Sequence, residues 1–301
     1  MRILTWAQAR RMKFSNLSLA LGTFDGLHKG HMALIEAVKQ GPGESAVFTF
    51  DTLPIDVFNA AHPPMRLMTL DEKKAAFEKT GIDYLCIAHF DKRFASIDHH
   101  TFPRLLRDVF HPVCLVAGYN YTYGKHAKGS ISALARDGGK LGFEVREIPP
   151  VIFDGEPVSS TRIRECLLAG NVERAADLLG YAYTMTGAVG TGRGIGSRKL
   201  GYPTANLLVA PEKIVPLRGV YGVAIALDGS TYQGVCNIGV NPTVAAGGRE
   251  SIEIHILSLN QDLYDKTISV SFQKRIRDER RFSSIEELRA QIERDIQSLN
   301  A

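Results

Sequence analysis

The sequence predicts an α/β domain with a parallel sheet, followed by a small antiparallel β-barrel with a C-terminal helix. The 301 residues are enough for two domains, and 45% of them are hydrophobic, which allows each domain a core. Strand-like and helix-like runs alternate up to about residue 180, and short β-rich runs separated by turns follow to about residue 271. We therefore expect domains at residues 1–181 and 182–301.

In the first domain, each strand-like run is followed by a run with helical spacing. LSLALGTF precedes HMALIEAVKQ, in which Met32, Ile35 and Val38 share one helical face, and the alternation continues as far as VCLVAGYN. Such a pattern is typical of a parallel sheet covered by helices on both faces, with ligands at the carboxyl ends of the strands. Two short helices, separated at Gly170 and ending at Gly180, are expected to close this half.

The spacing of turn residues in the second domain predicts a barrel. Runs such as YTMTGAVG, GVYGVAIAL, TYQGVCNIGV, SIEIHILSL and TISVSF are rich in β-branched residues and are separated by Gly, Pro and Asn turns. SSIEELRAQIERDIQSL has the spacing of one amphipathic helix, and Ser284 is placed to cap it.

Charge and cysteine usage narrow the class of protein. The net charge of +4 is too mildly basic to indicate a nucleic-acid partner and suits a protein that handles phosphorylated small molecules. The four cysteines form no C-x-x-C pair, so we expect reduced core residues rather than a zinc site or disulfides. No run of about 18 apolar residues and no signal-like apolar region is present, so we expect no membrane partner and a cytoplasmic location.

LGTFDGLHKGH, residues 21–31, falls where a strand gives way to a helix. Backbone N–H groups of the first helical turn would face a ligand there, and His28 and His31 could donate hydrogen bonds to a phosphate. A loop with incidental histidines and a metal site are the alternatives, although no H-E-x-x-H pattern supports a metal.

VSSTRIR, residues 158–164, offers a second set of phosphate ligands. It places the Ser160 and Thr161 hydroxyls at a helix start, with Arg162 and Arg164 close behind, which suits the leaving end of a triphosphate. A capped helix with solvated arginines is the alternative.

Taken together, the two stretches resemble the nucleotidylyltransferase superfamily. The order of VFTFDTLP, FASIDHHTFPRLL and VAGYNYTYGKHAKGS between them is similar to that of bacterial FAD synthetases, the riboflavin kinase/FMN adenylyltransferase family. The resemblance implies His28 and His31 as catalytic residues. It implies further ATP contacts at Gly22, Thr23, Phe24, Ser160, Thr161 and Arg164, and flavin contacts at Asp25, Asn120 and Tyr121.

Two positions depart from that family's usual pattern. Thr23 stands where Asn is usual, and Thr52-Leu53-Pro54 replaces a Pro-His-Pro after the second strand of the pattern. The missing histidine removes one candidate contact to flavin or phosphate, whereas the H-x-G-H motif is intact.

In the second domain, GTGRGIGSRKLGYPTANL could wrap a polyphosphate, although a glycine-rich hairpin would look similar. If PTAN is extended, Thr204 and Asn206 project to one side as neutral oxygen ligands for Mg²⁺; a turn-forming Thr and Asn is the alternative. Glu253 lies on the polar face of the strand SIEIHIL, where a carboxylate is either solvated or able to take a proton from an attacking alcohol.

These segments, with DLYDKTISVSF and IRDERRFSSIEELRAQIERD, resemble a riboflavin kinase domain nearly end to end. The resemblance implies Mg-ATP at Thr204 and Asn206, Glu253 as the base for the ribityl 5′-hydroxyl, and Arg277 near the flavin, while His255 is expected to be structural. The ATP loop would include Gly192, Gly194, Gly196 and Lys199.

The resemblance predicts a bifunctional enzyme of flavin cofactor synthesis, with riboflavin, FMN and ATP as its small-molecule partners and Mg²⁺ as cofactor. It would phosphorylate riboflavin to FMN and then adenylylate FMN to FAD, with release of pyrophosphate. A riboflavin kinase whose first domain is a noncatalytic flavin or nucleotide sensor is the rival hypothesis, motivated by the Thr23 and Thr52-Leu53-Pro54 departures. An adenylyltransferase for another substrate is a third hypothesis, but it leaves the second domain unexplained.

Overall fold

The structure, a computed structural model, describes residues 1–59, 65–190, 204–240, 250–259, 261, 263–280 and 282–300. The chain divides into two compact units, Met1–Ser160 and Thr161–Ala301. Within the described ranges, no helix combines the length and apolar character needed to cross a membrane.

The first unit is built on ten strands, of which six form one sheet. The strands are β1 (Arg2–Thr5), β2 (Leu17–Leu21), β3 (Glu44–Phe50), β4 (Tyr84–Ala88), β5 (Pro112–Gly118), β6 (Thr122–Tyr123), β7 (Gly129–Ser130), β8 (Glu144–Ile148), β9 (Ile152–Phe153) and β10 (Glu156–Pro157). The six-stranded sheet has the order β1-β4-β3-β2-β5-β8, and every neighbouring pair in it is parallel.

Helices cover both faces of this sheet, as the alternating pattern predicted. They are α1 (Trp6–Ala9), α2 (Lys29–Lys39), α3 (Pro54–Phe58), α4 (Leu70–Glu78), α5 (Lys92–Ala95), α6 (Thr101–Phe110) and α7 (Ile131–Leu141). Leu19 belongs to one buried core cluster and its neighbour Ala20 to the other, because successive side chains of a strand point to opposite faces. All five residues of β2 are buried, as expected of a central strand in a parallel sheet.

The second unit combines three helices with a closed barrel. The helices are α8 (Ser160–Leu168, whose first residue belongs to the first unit), α9 (Val172–Leu179) and α10 (Ile285–Gln297). The strands are β11 (Thr184–Gly190), β12 (Thr204–Leu208), β13 (Gly219–Leu227), β14 (Ser230–Val240), β15 (Glu250–Ile256) and β16 (Thr267–Arg277). Their order is β11-β12-β15-β14-β13-β16, and antiparallel pairing of β11 with β16 closes the barrel. The predicted fold class is confirmed in both units.

The predicted helix end at Gly180 and the predicted Ser284 cap are also confirmed. Asn171 accepts a hydrogen bond from Arg174 N at 3.1 Å and so caps the start of α9. Gly180 ends that helix in the left-handed region with φ 88°, where glycine is favoured. Ser284 Oγ accepts from Glu287 N at 3.1 Å and caps α10.

Candidate active sites

The loop from β2 to α2 carries the two predicted histidines. His28 is the N-cap of α2, and its Nδ1 accepts a hydrogen bond from the backbone N–H of His31 at 3.3 Å. A neutral His28 with an accepting Nδ1 carries its proton on Nε2, which is then its donor. The first-turn N–H groups and the positive dipole end of the eleven-residue helix α2 lie at the same place, so the loop is suited to bind an anion.

The imidazole rings of His28 and His31 stack, with centroids 3.7 Å apart and an interplanar angle of 17°. Burial lowers the pKa of His31 well below its usual range, and electrostatic interaction with His28 and Lys73 lowers it further. His31 is therefore neutral at pH 7. Its Nδ1 is buried and has no hydrogen-bond partner among the described residues. The ring can thus serve a phosphate as a neutral hydrogen-bond donor rather than as a cation.

A cavity of about 770 Å³ lies in the first unit at this loop. Seven of the predicted site residues line it: Gly22, Thr23, His28, His31, Asn120, Tyr121 and Ser160. Ser160 Oγ donates to the backbone carbonyl of Asp25 at 2.8 Å, which fixes Ser160 against the histidine loop within the first unit. The structure thereby brings together residues far apart in the chain at one pocket.

Phe24 and Asp25 lie beneath the cavity wall rather than on it. Phe24 is fully buried, and its ring centroid is 5.2 Å from that of His31. The buried carboxylate of Asp25 accepts hydrogen bonds from Leu67 N at 3.0 Å and from Met68 N at 3.2 Å. These contacts position the loop from behind, and the predicted flavin contact of Asp25 stays a prediction. Thr161 and Arg164 follow Ser160 in α8 and belong to the second unit, so their ATP contacts also stay predictions.

Sequence reasoning missed the aromatic wall of this cavity. Five phenylalanines line it, namely Phe50, Phe58, Phe90, Phe94 and Phe102. The Phe50 ring lies 5.0 Å from that of Phe90 and 5.1 Å from that of Phe94, both edge-on. Such rings can pack against a planar aromatic ligand. Phe50 ends β3 and Phe90 follows β4, so the rule that ligands bind at the carboxyl ends of parallel strands would have selected both.

The unusual segment Thr52-Leu53-Pro54 leads into α3 beside the same cavity. Leu53 N donates to Asp56 Oδ2 at 3.1 Å, and the same oxygen pairs with Arg66 Nη2 at 2.7 Å. Of the three residues of this segment only Pro54, which matches the last proline of the usual Pro-His-Pro, lines the cavity, and the histidine loop is intact.

The described residues contain one grouping of three potential metal ligands, Asp98, His99 and His100. His28 and His31 are not part of it. The donor set therefore favours the phosphate hypothesis for the histidine loop over the metal hypothesis.

In the second unit, three polar residues form one row across the barrel. Asn206 of β12 is paired with Glu253 of β15, and Glu253 is paired on its other side with Asn237 of β14. Directly paired residues on neighbouring strands have Cβ atoms about 4.5–5.5 Å apart. A carboxylate thus lies between two amides. Asn237 was missed by sequence reasoning, because only the strand register brings it beside Glu253.

This row lies on the outer face of the barrel. Ala205 and Leu207 alternate with Thr204 and Asn206 and are buried, and Ile252 and Ile254 are buried on either side of Glu253. Thr204 and Asn206 therefore share one face, as the extended form of PTAN predicts, and Thr204 is paired with His255. The predicted loop residues Gly192, Gly194, Gly196 and Lys199 lie outside the described residues.

The structure places Arg277 against the C-terminal helix. Its Nε donates to Asp295 Oδ1 at 3.0 Å and its Nη2 donates to Asp295 Oδ2 at 2.7 Å, which is a bidentate ion pair. Asp295 is only 2% exposed and also accepts from Gln291 Nε2 at 2.7 Å. The guanidinium thus has a structural partner in α10, and its predicted flavin contact stays a prediction.

Comparison with known proteins extends over both units. Residues 11–162 match the family model described as FAD synthetase, and residues 179–301 match the model described as riboflavin kinase. A relative from Escherichia coli K12, named bifunctional riboflavin kinase/FMN adenylyltransferase, is 35% identical over 92% of this chain and 90% of its own length. The chain belongs to the riboflavin kinase/FMN adenylyltransferase family.

A second relative carries the same name, and one solved structure is similar over the whole fold. The riboflavin kinase/FMN adenylyltransferase of Bacillus subtilis is 38% identical over 93% of this chain and 90% of its own length. A solved structure from Streptococcus pneumoniae, titled as a macrolide-efflux protein, is 29% identical and covers 99% of this chain with a TM-score of 0.90. The residues that line the cavity fall within the segment that matches FAD synthetase. The Asn206–Glu253–Asn237 row falls within the segment that matches riboflavin kinase.

Proposed function

We propose that this chain makes FAD from riboflavin in two steps, each using one ATP. Riboflavin is phosphorylated to FMN with release of ADP, and FMN is then adenylylated to FAD with release of pyrophosphate. The observation that carries this proposal is the consecutive match of residues 11–162 to FAD synthetase and of residues 179–301 to riboflavin kinase. We assign the steps to domains with the boundary at residues 181 and 182. The cytoplasm, where ATP is available, is the proposed location.

In the adenylyl step, a phosphate oxygen of FMN forms a bond to the α-phosphorus of ATP. The bond from that phosphorus to the oxygen bridging to the β-phosphate breaks, and pyrophosphate leaves. His28 and His31 are proposed to donate hydrogen bonds to phosphate oxygens where negative charge grows, beside the first-turn N–H groups of α2. Ser160, Thr161 and Arg164 are proposed to bind the pyrophosphate end. Catalysis in this step is positioning and charge stabilisation, without a protein nucleophile.

The isoalloxazine of FMN is proposed to pack against the aromatic wall of the cavity, with Asn120 and Tyr121 as polar neighbours. Burial raises the pKa of Tyr121, so its phenol stays protonated beside a phosphate-bearing ligand. Asp25 would act from behind the wall, through its bonds to the backbone of Leu67 and Met68.

In the kinase step, Glu253 is proposed to accept the proton of the ribityl 5′-hydroxyl as that oxygen attacks the γ-phosphorus of ATP. Thr204 and Asn206 offer neutral oxygen donors on the same face of the barrel as this carboxylate, a donor set that fits Mg²⁺. When bound, Mg²⁺ would neutralise part of the polyphosphate charge. Gly192, Gly194, Gly196 and Lys199 remain the proposed phosphate-binding loop.

The experiment supplies the purified protein with riboflavin, ATP and magnesium, and separates the flavins by liquid chromatography. We expect FMN to appear first and FAD to follow, and FMN supplied directly should be converted to FAD. FMN that accumulates without FAD in both reactions would instead support the rival kinase with a noncatalytic first domain. Absence of both products would overturn the proposal for both units.

A further inference from the structure

Lys73 is a buried lysine that the proposed chemistry does not use. It lies in α4, and only 4% of its surface is exposed. Its Nζ donates to the backbone carbonyl of Thr23 at 2.9 Å and to that of Phe50 at 3.2 Å. Lysine is almost never this deeply buried without a partner, because taking an ammonium out of water is costly. Hydrogen bonds to the two carbonyls thus offset part of the cost of burying the ammonium.

Both acceptors belong to the wall of the active-site cavity. Thr23 follows β2, and Phe50 ends the neighbouring strand β3, and both residues line the cavity while Lys73 does not. At the carboxyl ends of parallel strands, free carbonyl oxygens would present negative partial charge to an anionic ligand. The ammonium holds these two oxygens behind the wall. Thr49 Oγ1 donates to the same Thr23 carbonyl at 3.1 Å, which fixes that peptide further.

Four charged or titratable groups act on or respond to this ammonium. The carboxylates of Asp25 and Asp51 attract it, and the guanidinium of Arg66 repels it. Its charge also helps to lower the pKa of His31. Burial outweighs the two carboxylates and lowers the pKa of Lys73 from 10.5 to about 8, so most of the population is charged at pH 7.

We propose that Lys73 is a positioning residue for adenylyl transfer, which holds the Thr23 and Phe50 carbonyls away from the ATP phosphates and adds positive charge behind them. This inference rests on the proposed FMN adenylyltransferase function of the first unit. The ammonium acts through the loop and not by contact with substrate. Displacement of the loop by about 1 Å is enough to slow a positioned reaction about 100-fold.

The test compares Lys73→Met with Lys74→Met. Methionine keeps an unbranched chain at position 73 but removes the charge and the donors. Lys74 is the adjacent residue of α4, and its Nζ forms an ion pair with Asp71 Oδ1 at 3.0 Å. At saturating FMN and ATP at pH 7, we expect Lys73→Met to lower kcat for FAD formation by about 10-fold to 100-fold. Lys74→Met should change it less than twofold, and FMN formation from riboflavin should be unchanged in both variants.

A pH profile separates positioning by charge from a merely structural role. In the wild-type protein, kcat for FAD formation should fall as the pH rises above about 8, the pKa of Lys73. The Lys73→Met profile should lack this limb, because the titrating group is gone. Equal kcat values for wild type and Lys73→Met at pH 7, or the same alkaline limb in both, would overturn the inference.

Failure of a variant to fold and absence of wild-type FAD synthesis each have a defined consequence for the inference. If Lys73→Met does not unfold cooperatively, the Lys73→Gln variant is used instead. If neither variant folds, the wild-type pH profile is the test, and a kcat that is flat from pH 7 to pH 10 overturns the inference. If the wild-type protein makes no FAD from FMN, the proposed function of the first unit fails, and the inference fails with it. Normal wild-type FAD synthesis with an unaffected Lys73→Met variant removes only the role of Lys73.

Discussion

The buried ammonium of Lys73 also predicts how stability depends on pH. Its pKa is lowered from 10.5 to about 8 in the folded protein, chiefly by burial. Each pH unit between the unfolded and folded pKa is worth about 1.4 kcal/mol, so the difference corresponds to about 3 kcal/mol. Between pH 8 and pH 10.5 Lys73 binds more protons in the unfolded chain than in the folded chain. The contribution of Lys73 to the free energy of unfolding therefore rises with pH in that window, while below about pH 8 the full cost of its buried charge is present.

The perturbation that isolates this effect is Lys73→Met, because the variant lacks the titrating group. The stability of wild type relative to the variant should increase by about 3 kcal/mol between pH 7.5 and pH 10.5. Buried Cys86 and Tyr121 titrate at high pH in both proteins, so their contributions cancel in the difference.

The single tryptophan makes the measurement specific to the first unit. Trp6 packs on Phe48, with ring centroids 5.4 Å apart, and on Phe110, with centroids 5.9 Å apart. Denaturant titrations followed by tryptophan fluorescence, repeated at several pH values, give the free energy of unfolding of that core. A stability difference between wild type and variant that stays constant over the whole pH range would refute the reasoning.

Three other substitutions test separate parts of the protein. Glu253→Gln should lower FMN formation from riboflavin at least about 100-fold, since a general base contributes about that much, while added FMN is still converted to FAD. Both reactions are followed by chromatography, and loss of FAD formation together with FMN formation would contradict the prediction. His31→Ala should give the opposite pattern in the same assays, with FAD formation reduced about 100-fold by loss of a hydrogen-bond donor, and unchanged FAD formation would remove His31 from the mechanism. Arg277→Met should destabilise the second unit by about 3–5 kcal/mol, because it leaves the buried Asp295 carboxylate without its ion pair. Chemical denaturation followed by circular dichroism measures this loss, and a value below about 1 kcal/mol would argue against a structural ion pair.

Much of the fold followed from the sequence because the relevant physics is local. The start of α2 at the histidine motif, the Ser284 cap and the end of α9 at Gly180 depend on residues within one or two helical turns of each other. The alternation of apolar and polar residues likewise indicates strand or helix from a short window. The motifs also selected seven residues that line one cavity in the structure.

The remaining features depend on contacts between residues distant in the chain. Lys73 stands beside Lys74 in DEKKAAFEKTG, and residue type does not distinguish a solvated lysine from a buried one. The sequence indicates a difference only through spacing, because Lys73 lies one helical turn before the fully buried Phe77. Arg277, taken from a motif as a flavin contact, is paired in the structure with Asp295.

By itself, the sequence determined the two fold classes, the order of the domains and the H-x-G-H and PTAN segments, because periodicity and motifs are properties of contiguous residues. The tertiary structure decided which side chains become neighbours. Strand register brought Asn237 beside Glu253, and sheet order brought the carbonyls of Thr23 and Phe50 to one buried ammonium. Register and sheet order are set by packing of the whole core, which no short window of sequence contains.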